Sequence, residues 1–560
     1  MDKKIKDLYE LWLAKASGDE GLIKELKTMD EDTIKDAFYK ELEFGTAGLR
    51  GIIGAGTNRM NIYVVKKAAQ GIANYVNKNY QGNKSIAIGY DSRIKSKLFA
   101  EISAMVFAAN GIKTYVYSDI IPTPCVSYAI RYLSCVSGVM VTASHNPSKY
   151  NGYKVYGPSG CQISSKMSDD ILAEIQKLDV FKDIKELDYQ EGLEKKMIEP
   201  MPQEVFDSFM EEVNKLKIAK EEELDKNIKI VYTPLHGVGL KPVLKILRDN
   251  GYENIVVVKE QEQPDGTFPT TSYPNPESMQ ALDLARKYAK ENEADIIIAT
   301  DPDSDRVGLV AKDDKGEYIT ISGNQTGMLL LDYLARCRLE QNKMPKHPVC
   351  VRSVVTTDMI DRIAKKYGIE VRAVLTGFKY IGGEVNNLEE EGRTSDLILA
   401  FEESIGFLTG SHVRDKDAVN ASLLIAEMAA FYKKKKMTLL NRLDEIYNEL
   451  GYSLNNTYSY EFAGQQGMSK MNAIMEDFRK GIKEFGDYKV LEMIDYQKGV
   501  ANLPKSNIVK FILDGGSSLI IRPSGTEPKI KVYLFLYGEN RKEVSQKELR
   551  LMADIAKIIK

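Results

Sequence analysis

SIAIGYD (residues 85–91), KLFAEISAMVFAANG (97–111), KTYVYSD (113–119), PTPCVSYAIRYL (122–133) and VSGVMVTAS (136–144) follow one another with little between them. The first, third and fifth are short apolar runs, and the second and fourth carry apolar residues at helical spacing. Strand, helix, strand, helix, strand predicts a sheet with crossover connections. A second such unit begins with IKIVYTPLHG (228–237) and ends with DIIIATD (295–301). A third runs from about Gly323 through PVCVRSVVTTD (348–358) and EVRAVLTG (370–377) to DLILAFEES (396–404). The units recur at roughly 110 residues, the mark of related domains. From about Leu450 the texture changes to strand-like NIVKFILD (507–514), SSLIIRP (517–523) and KIKVYLFLYG (529–538), with helices around Met468–Ile482 and Lys547–Ile559. The fold class expected is α/β: three similar mixed α/β domains (1–205, 206–321 and 322–450) followed by a smaller α+β C-terminal domain (451–560).

Composition excludes several function classes. Of 560 residues, 77 Lys and Arg nearly balance 80 Asp and Glu, so a net charge of −3 supplies no basic field for nucleic acid or anionic lipid. No apolar run is long enough to span a membrane, and the charged N-terminus lacks the apolar core of a secretion signal. Five cysteines without a CxxC pair read as reduced thiols, and the four histidines show no zinc spacing. A cytoplasmic chain acting on a small molecule is expected, its oligomeric state open between monomer and dimer.

Ligands of open α/β sheets bind beyond the carboxyl ends of the parallel strands, which directs attention to three loops. TASHNPSKYNGYK (142–154) places Ser144 beside His145 in a turn marked by Asn146, Pro147, Asn151 and Gly152. One reading is a polar turn whose hydroxyls cap backbone groups. The other is a nucleophile that carries a covalent group, with His145 and Lys154 near enough to move protons or neutralise phosphate. DPDSDR (301–306) gathers Asp301, Asp303 and Asp305 within five residues. A divalent cation, Mg²⁺ by ligand type, relieves their repulsion, and Arg306 becomes a phosphate clamp; a solvated acidic turn is the alternative. FEES (401–404) offers Glu402 and Ser404 to sugar hydroxyls, or else starts a helix with favourable acidic charge.

Three further stretches offer charge. RPSGTEPK (522–529) combines Arg522, Ser524, Gly525 and Thr526 in an array suited to a phosphate dianion. GTAGLRG (45–51) ends in Arg50, and TGFK (376–379) adds Lys379. A lone Gly-rich loop is weak evidence, and Lys379 taken alone reads as a solvated lysine.

In this order these loops resemble those of the α-D-phosphohexomutase superfamily, the phosphoglucomutases and phosphomannomutases, over essentially the whole chain. The resemblance implies a four-domain, heart-shaped arrangement with a mobile fourth domain. It implies that Ser144 carries a phosphoryl group and that Asp301, Asp303 and Asp305 hold Mg²⁺ together with a phosphoserine oxygen. Glu402 and Ser404 would grip the sugar, and Arg522, Ser524, Gly525 and Thr526 would hold the unreacting phosphate, while Arg50, Lys154, Arg306 and Lys379 supply positive charge. The implied reaction is a phosphoglucomutase isomerisation through a bound glucose 1,6-bisphosphate. Lys154 is expected to be the proton carrier, its pKa lowered by neighbouring cations and burial, with His145 and Lys379 as alternates. Phe401 stands where glucose-selective members have Gly, and with RDKD (414–417) it resembles the bacterial phosphoglucomutases and the phosphopentomutase-type branch. Mannose or pentose phosphates therefore remain alternative substrates, and a metal-dependent sugar phosphatase an alternative activity.

Overall fold

The computed structural model describes residues 2–45, 48–462, 467–500, 503–524 and 529–560. Three of its four sheets repeat one plan. In the first, strands Ser85–Tyr90, Lys113–Val116 and Ser137–Val141 run parallel, and Tyr150–Tyr156 returns antiparallel along the last. The second has Ile230–Thr233, Ile255–Val257 and Ile296–Thr300 with Val307–Lys312 returning. Val349–Ser353, Glu370–Val374 and Leu397–Glu402 with Gly406–Leu408 complete the series. Each reads across as return strand, last parallel strand, first, second.

The expected parallel units are present, and the return strands were not anticipated. YNGYK, read from its Asn and Gly as part of a turn, lies in strand Tyr150–Tyr156. Gly152 serves close approach there, since a Cβ would sit 2.5 Å from the Thr142 carbonyl oxygen and 2.9 Å from that of Leu49. The tight turns before the return strands force residues other than glycine to positive φ: Ser144 at 50°, Ser304 at 51° and the β-branched Ile405 at 53°. Such backbone persists only where surrounding structure holds it, and its clustering marks functional turns.

One hydrophobic core runs through all three repeats, from Ala129 and Phe209 past Ile230 and Ile298 to Leu330 and Leu423. Helices Gly323–Glu340 and Ala418–Lys434 are buried around most of their circumference, as their apolar sequences require. Asp417 caps the second by accepting from the backbone N–H of Val419 and Asn420. The last domain is a six-stranded antiparallel sheet with helices Gly467–Phe478 and Arg541–Ile559 packed on its own core. It stands on the third repeat through Val354, Val355 and Leu375 against Tyr496, Ile508, Ile520, Tyr533 and Phe535. Asp358 reinforces that contact by accepting from Lys510 and from Ser518 at 2.8 Å. Among the described residues no helix is long and apolar enough to cross a membrane.

Candidate active site

Strand Ser137–Val141 delivers Ser144 to the junction of the first two repeats, where it is buried. Its Oγ donates to Asp301 Oδ2 at 2.7 Å and lies 3.1 Å from His145 Nδ1. Its backbone N–H donates to Thr142 Oγ1 at 2.8 Å. Strand Leu49–Ile52 pairs with the return strand so that Arg50 stands opposite Gly152, and its guanidinium donates to Asn146 Oδ1 at 3.1 Å. Burial, with Arg306 and Arg50 near by, holds the His145 pKa well below its ordinary value. The imidazole is therefore neutral.

The three aspartates of DPDSDR are fully buried, with one oxygen of each within 4.8 Å of the others. Asp301 Oδ1 accepts from the backbone N–H of Asp305 and Arg306 at 3.2 and 3.0 Å. Asp303 Oδ2 accepts from Thr123 Oγ1 at 2.8 Å and from Lys154 Nζ at 2.7 Å. Asp305 Oδ2 is 2.9 Å from Lys154 Nζ and 3.2 Å from Lys416 Nζ. Asp303 Oδ1 and Asp305 Oδ1 are buried without hydrogen-bond partners among the described residues. Hard oxygen donors with unsatisfied lone pairs fit a small divalent cation such as Mg²⁺.

Charge is distributed unevenly over the triad. Burial, then the proximity of Asp303 and Asp305, raises the Asp301 pKa well above the carboxylate range. For Asp303 burial acts upward too, but the Lys154 ammonium outweighs it and the pKa falls. Lys154 shifts upward, contrary to the expected lowering: burial disfavours its charge, but Asp303, Asp305 and Asp415 more than compensate. The direct partners of this lysine are carboxylates, where cations were expected. Facing these carboxylates, Lys154 holds its positive charge.

The sugar loop joins the same junction. Arg306 donates to the Ser404 carbonyl at 3.2 Å, and the backbone N–H of Val307 to that of Ile405 at 3.1 Å. Glu402 accepts from the backbone N–H of Gly377 at 2.6 Å, which ties FEES to TGFK. Lys379 lies 4.7 Å from the Tyr380 ring centroid and has no carboxylate within ion-pair distance among the described residues. Burial lowers its pKa. Phe401 is fully buried, packed into the space beside Gly327 and stacked on Phe407, so its side chain belongs to the core.

A cleft of about 1090 Å³ opens between these loops and the last domain, with Arg50, His145 and Tyr273 on one side and Arg522, Ser524 and Lys531 on the other. Two predicted residues, Gly525 and Thr526, lie outside the described residues. Several contributors escaped the sequence reading: Thr123 and Lys416, which touch the triad, and Arg93, whose guanidinium donates to the carbonyls of Ser144, Asn146, Pro147 and Tyr150. Lys416 belongs to RDKD, which had been noted only as a branch signature. Spacing within one sequence carried no signal for Thr123 or Arg93.

Comparison with known proteins follows this architecture. Models of phosphoglucomutase/phosphomannomutase α/β/α domains I, II and III match residues 41–181, 207–316 and 322–450, and that of the C-terminal domain matches 470–537. The chain is 36% identical over 541 residues to a phosphoglucomutase of Staphylococcus haemolyticus, covering 94% of this chain and 96% of that protein. Among solved structures it is similar to the phosphoprotein parafusin, a phosphoglucomutase, of Paramecium in its open form, with a TM-score of 0.69 at 20% identity, covering 93% and 96% of the two chains. It is also similar to the N-acetylphosphoglucosamine mutase of Aspergillus fumigatus in complex with GlcNAc-6P and magnesium, with a TM-score of 0.53 at 12% identity over the whole of both chains.

Proposed function

The chain belongs to the phosphoglucomutase/phosphomannomutase family, an isomerase of the α-D-phosphohexomutase superfamily, and we propose that it interconverts glucose 1-phosphate and glucose 6-phosphate. Ser144 carries the phosphoryl group. A sugar hydroxyl gives its proton to His145 and attacks phosphorus as the bond to Ser144 Oγ breaks, and His145 returns that proton to the serine oxygen. The bisphosphate so formed turns over in the cleft, and its other phosphate returns to Ser144 by the reverse exchange. Nothing is hydrolysed, and atoms and charge balance at each transfer.

The observation that carries this reading is Ser144 Oγ, 2.7 Å from Asp301 at the mouth of a buried carboxylate triad. Asp301, Asp303 and Asp305, with a phosphoserine oxygen, would hold Mg²⁺, which when bound neutralises charge on the phosphoryl group. His145, within 3.1 Å of Oγ, exchanges the serine proton. Lys154, Arg306 and Arg50 contribute fixed positive charge. Glu402 and Ser404 read the sugar hydroxyls, and Arg522 and Ser524, with Gly525 and Thr526, hold the distal phosphate. Lys379 supplies further charge near the sugar loop. A second phosphate site distinguishes a mutase from a phosphatase, which has no use for one. The five free cysteines, all buried, agree with action in the cytosol.

Glucose is favoured over mannose and pentose phosphates by the Staphylococcus relative's activity. Phe401 faces the core, so the departure at that position does not argue for another sugar. Coupled assays with glucose 1-phosphate, mannose 1-phosphate and ribose 1-phosphate, primed with glucose 1,6-bisphosphate, test the assignment. Turnover is expected to be highest with glucose 1-phosphate, and comparable turnover of all three would overturn it.

A further inference from the structure

Between helix Lys259–Glu262 and the short helix Gln280–Leu282, residues 263–279 form neither helix nor strand. A structureless stretch of this length inside a compact domain is ordinarily functional. It is firmly held: the buried His236 contacts the Gln263 carbonyl through Nδ1 at 3.2 Å and Thr270 Oγ1 through Nε2 at 2.9 Å. It also leaves its own domain. Gly266 lies so close to the first domain that a Cβ would fall 2.5 Å from the Ile94 nitrogen and 2.7 Å from the Ser92 carbonyl oxygen. Phe268, buried and at φ 48°, lies beneath Arg93 with 4.9 Å between the guanidinium carbon and the ring centroid.

Arg93 ties this loop to the serine turn. Its two terminal nitrogens donate to four carbonyls, those of Pro147 and Tyr150 at 3.1 and 3.0 Å and those of Ser144 and Asn146, while Asp91 faces Nε at 3.4 Å. A planar fork can gather these carbonyls where an ammonium cannot. Farther along the loop, the Tyr273 ring meets His145 edge-on, with centroids 5.4 Å apart. The loop thus touches both the buried support of the serine turn and the imidazole beside Ser144.

We propose that residues 264–278 are a strap by which the second domain positions the serine turn of the first, Phe268 and Tyr273 acting as positioning residues through Arg93 and His145. The proposal rests on the reading of Ser144 as phosphoryl carrier. Its value would be registry: the carboxylate triad and the strap come from the same domain, so the turn is fixed relative to the triad from two directions. A transfer that depends on in-line geometry is sensitive to such placement.

The test charges the full-length protein with glucose 1,6-bisphosphate and Mg²⁺, removes the excess, mixes it with glucose 1-phosphate, and follows loss of the phosphoryl mass by rapid quench. In Phe268→Leu, which keeps an apolar side chain but removes the ring, discharge is expected to slow about 10-fold while half-saturation by glucose 1-phosphate is unchanged. In Tyr273→Ala, at an exposed position, the slowing is expected to be about 3-fold or more. Weaker saturation at an unaltered limiting rate would identify sugar binding instead and overturn the positioning role. Wild-type discharge in both variants, with Ser144-dependent charging intact, sinks the strap alone. If Phe268→Leu fails to fold, Tyr273→Ala decides by the same criterion. Failure of the wild-type protein to charge at Ser144 sinks the phosphoserine reading and the strap with it.

Discussion

The two walls of the cleft are built differently. On one side three domains share a continuous core, and their loops are joined by direct bonds: Thr123 and Lys154 to Asp303, Lys416 to Asp305, and Arg306 to the Ser404 carbonyl. On the other, Arg522 and Ser524 ride on a domain with its own core, attached to the third repeat through an apolar patch, the Asp358 contacts, Arg362 over the Tyr537 ring and Tyr447 against Tyr452. On the proposed reading, bonds are made at the welded wall, where atoms must be placed closely. The distal phosphate is gripped at the separately carried wall, suited to a bisphosphate that must turn over and to closure that excludes water.

Mutations should separate the walls. Ser144→Ala is expected to abolish turnover, by about 10⁴-fold or more in kcat, measured in a coupled assay. Asp303→Asn should lower kcat by roughly 10²- to 10³-fold and raise the Mg²⁺ concentration required, read from a metal titration. Arg522→Gln, on the other wall, should raise KM about 10-fold or more and alter kcat much less, since it removes binding shared by ground and transition states. If Arg522→Gln instead lowers kcat as severely as Asp303→Asn, the division of labour is wrong.

The smallest expected effect is on stability against pH. Burial, reinforced by neighbouring Glu402, pushes the Glu403 carboxyl up to about 7. Between the ordinary value of 4.5 and about 7 the folded protein retains a proton that the unfolded chain has lost. Its contribution to stability is thus present below the unfolded pKa and is lost as pH rises through the folded one. Glu403→Gln should flatten the fall of melting temperature across that window, and an unchanged slope would assign it to other groups.

Much of the welded wall was legible because its chemistry lies in contiguous loops: TASHNP, DPDSDR and FEES each follow an apolar strand, and the strand fixes where the loop emerges. The three repeats were visible for the same reason. What was hidden depends on residues distant in the chain. Thr123 meets Asp303 across 180 positions and Lys154 meets it across 149. The direction of the Lys154 shift could not be read without knowing which charges face it. YNGYK looked like a turn because Gly152 suits a bend as well as it suits the close strand approach that the fold requires.

The most direct test is the intact mass of the purified protein after incubation with glucose 1,6-bisphosphate and Mg²⁺, beside Ser144→Ala treated identically. A gain of about 80 Da in the wild-type protein, absent from Ser144→Ala and discharged by glucose 1-phosphate, is the predicted result. The same gain in both proteins, or in neither, would contradict the account.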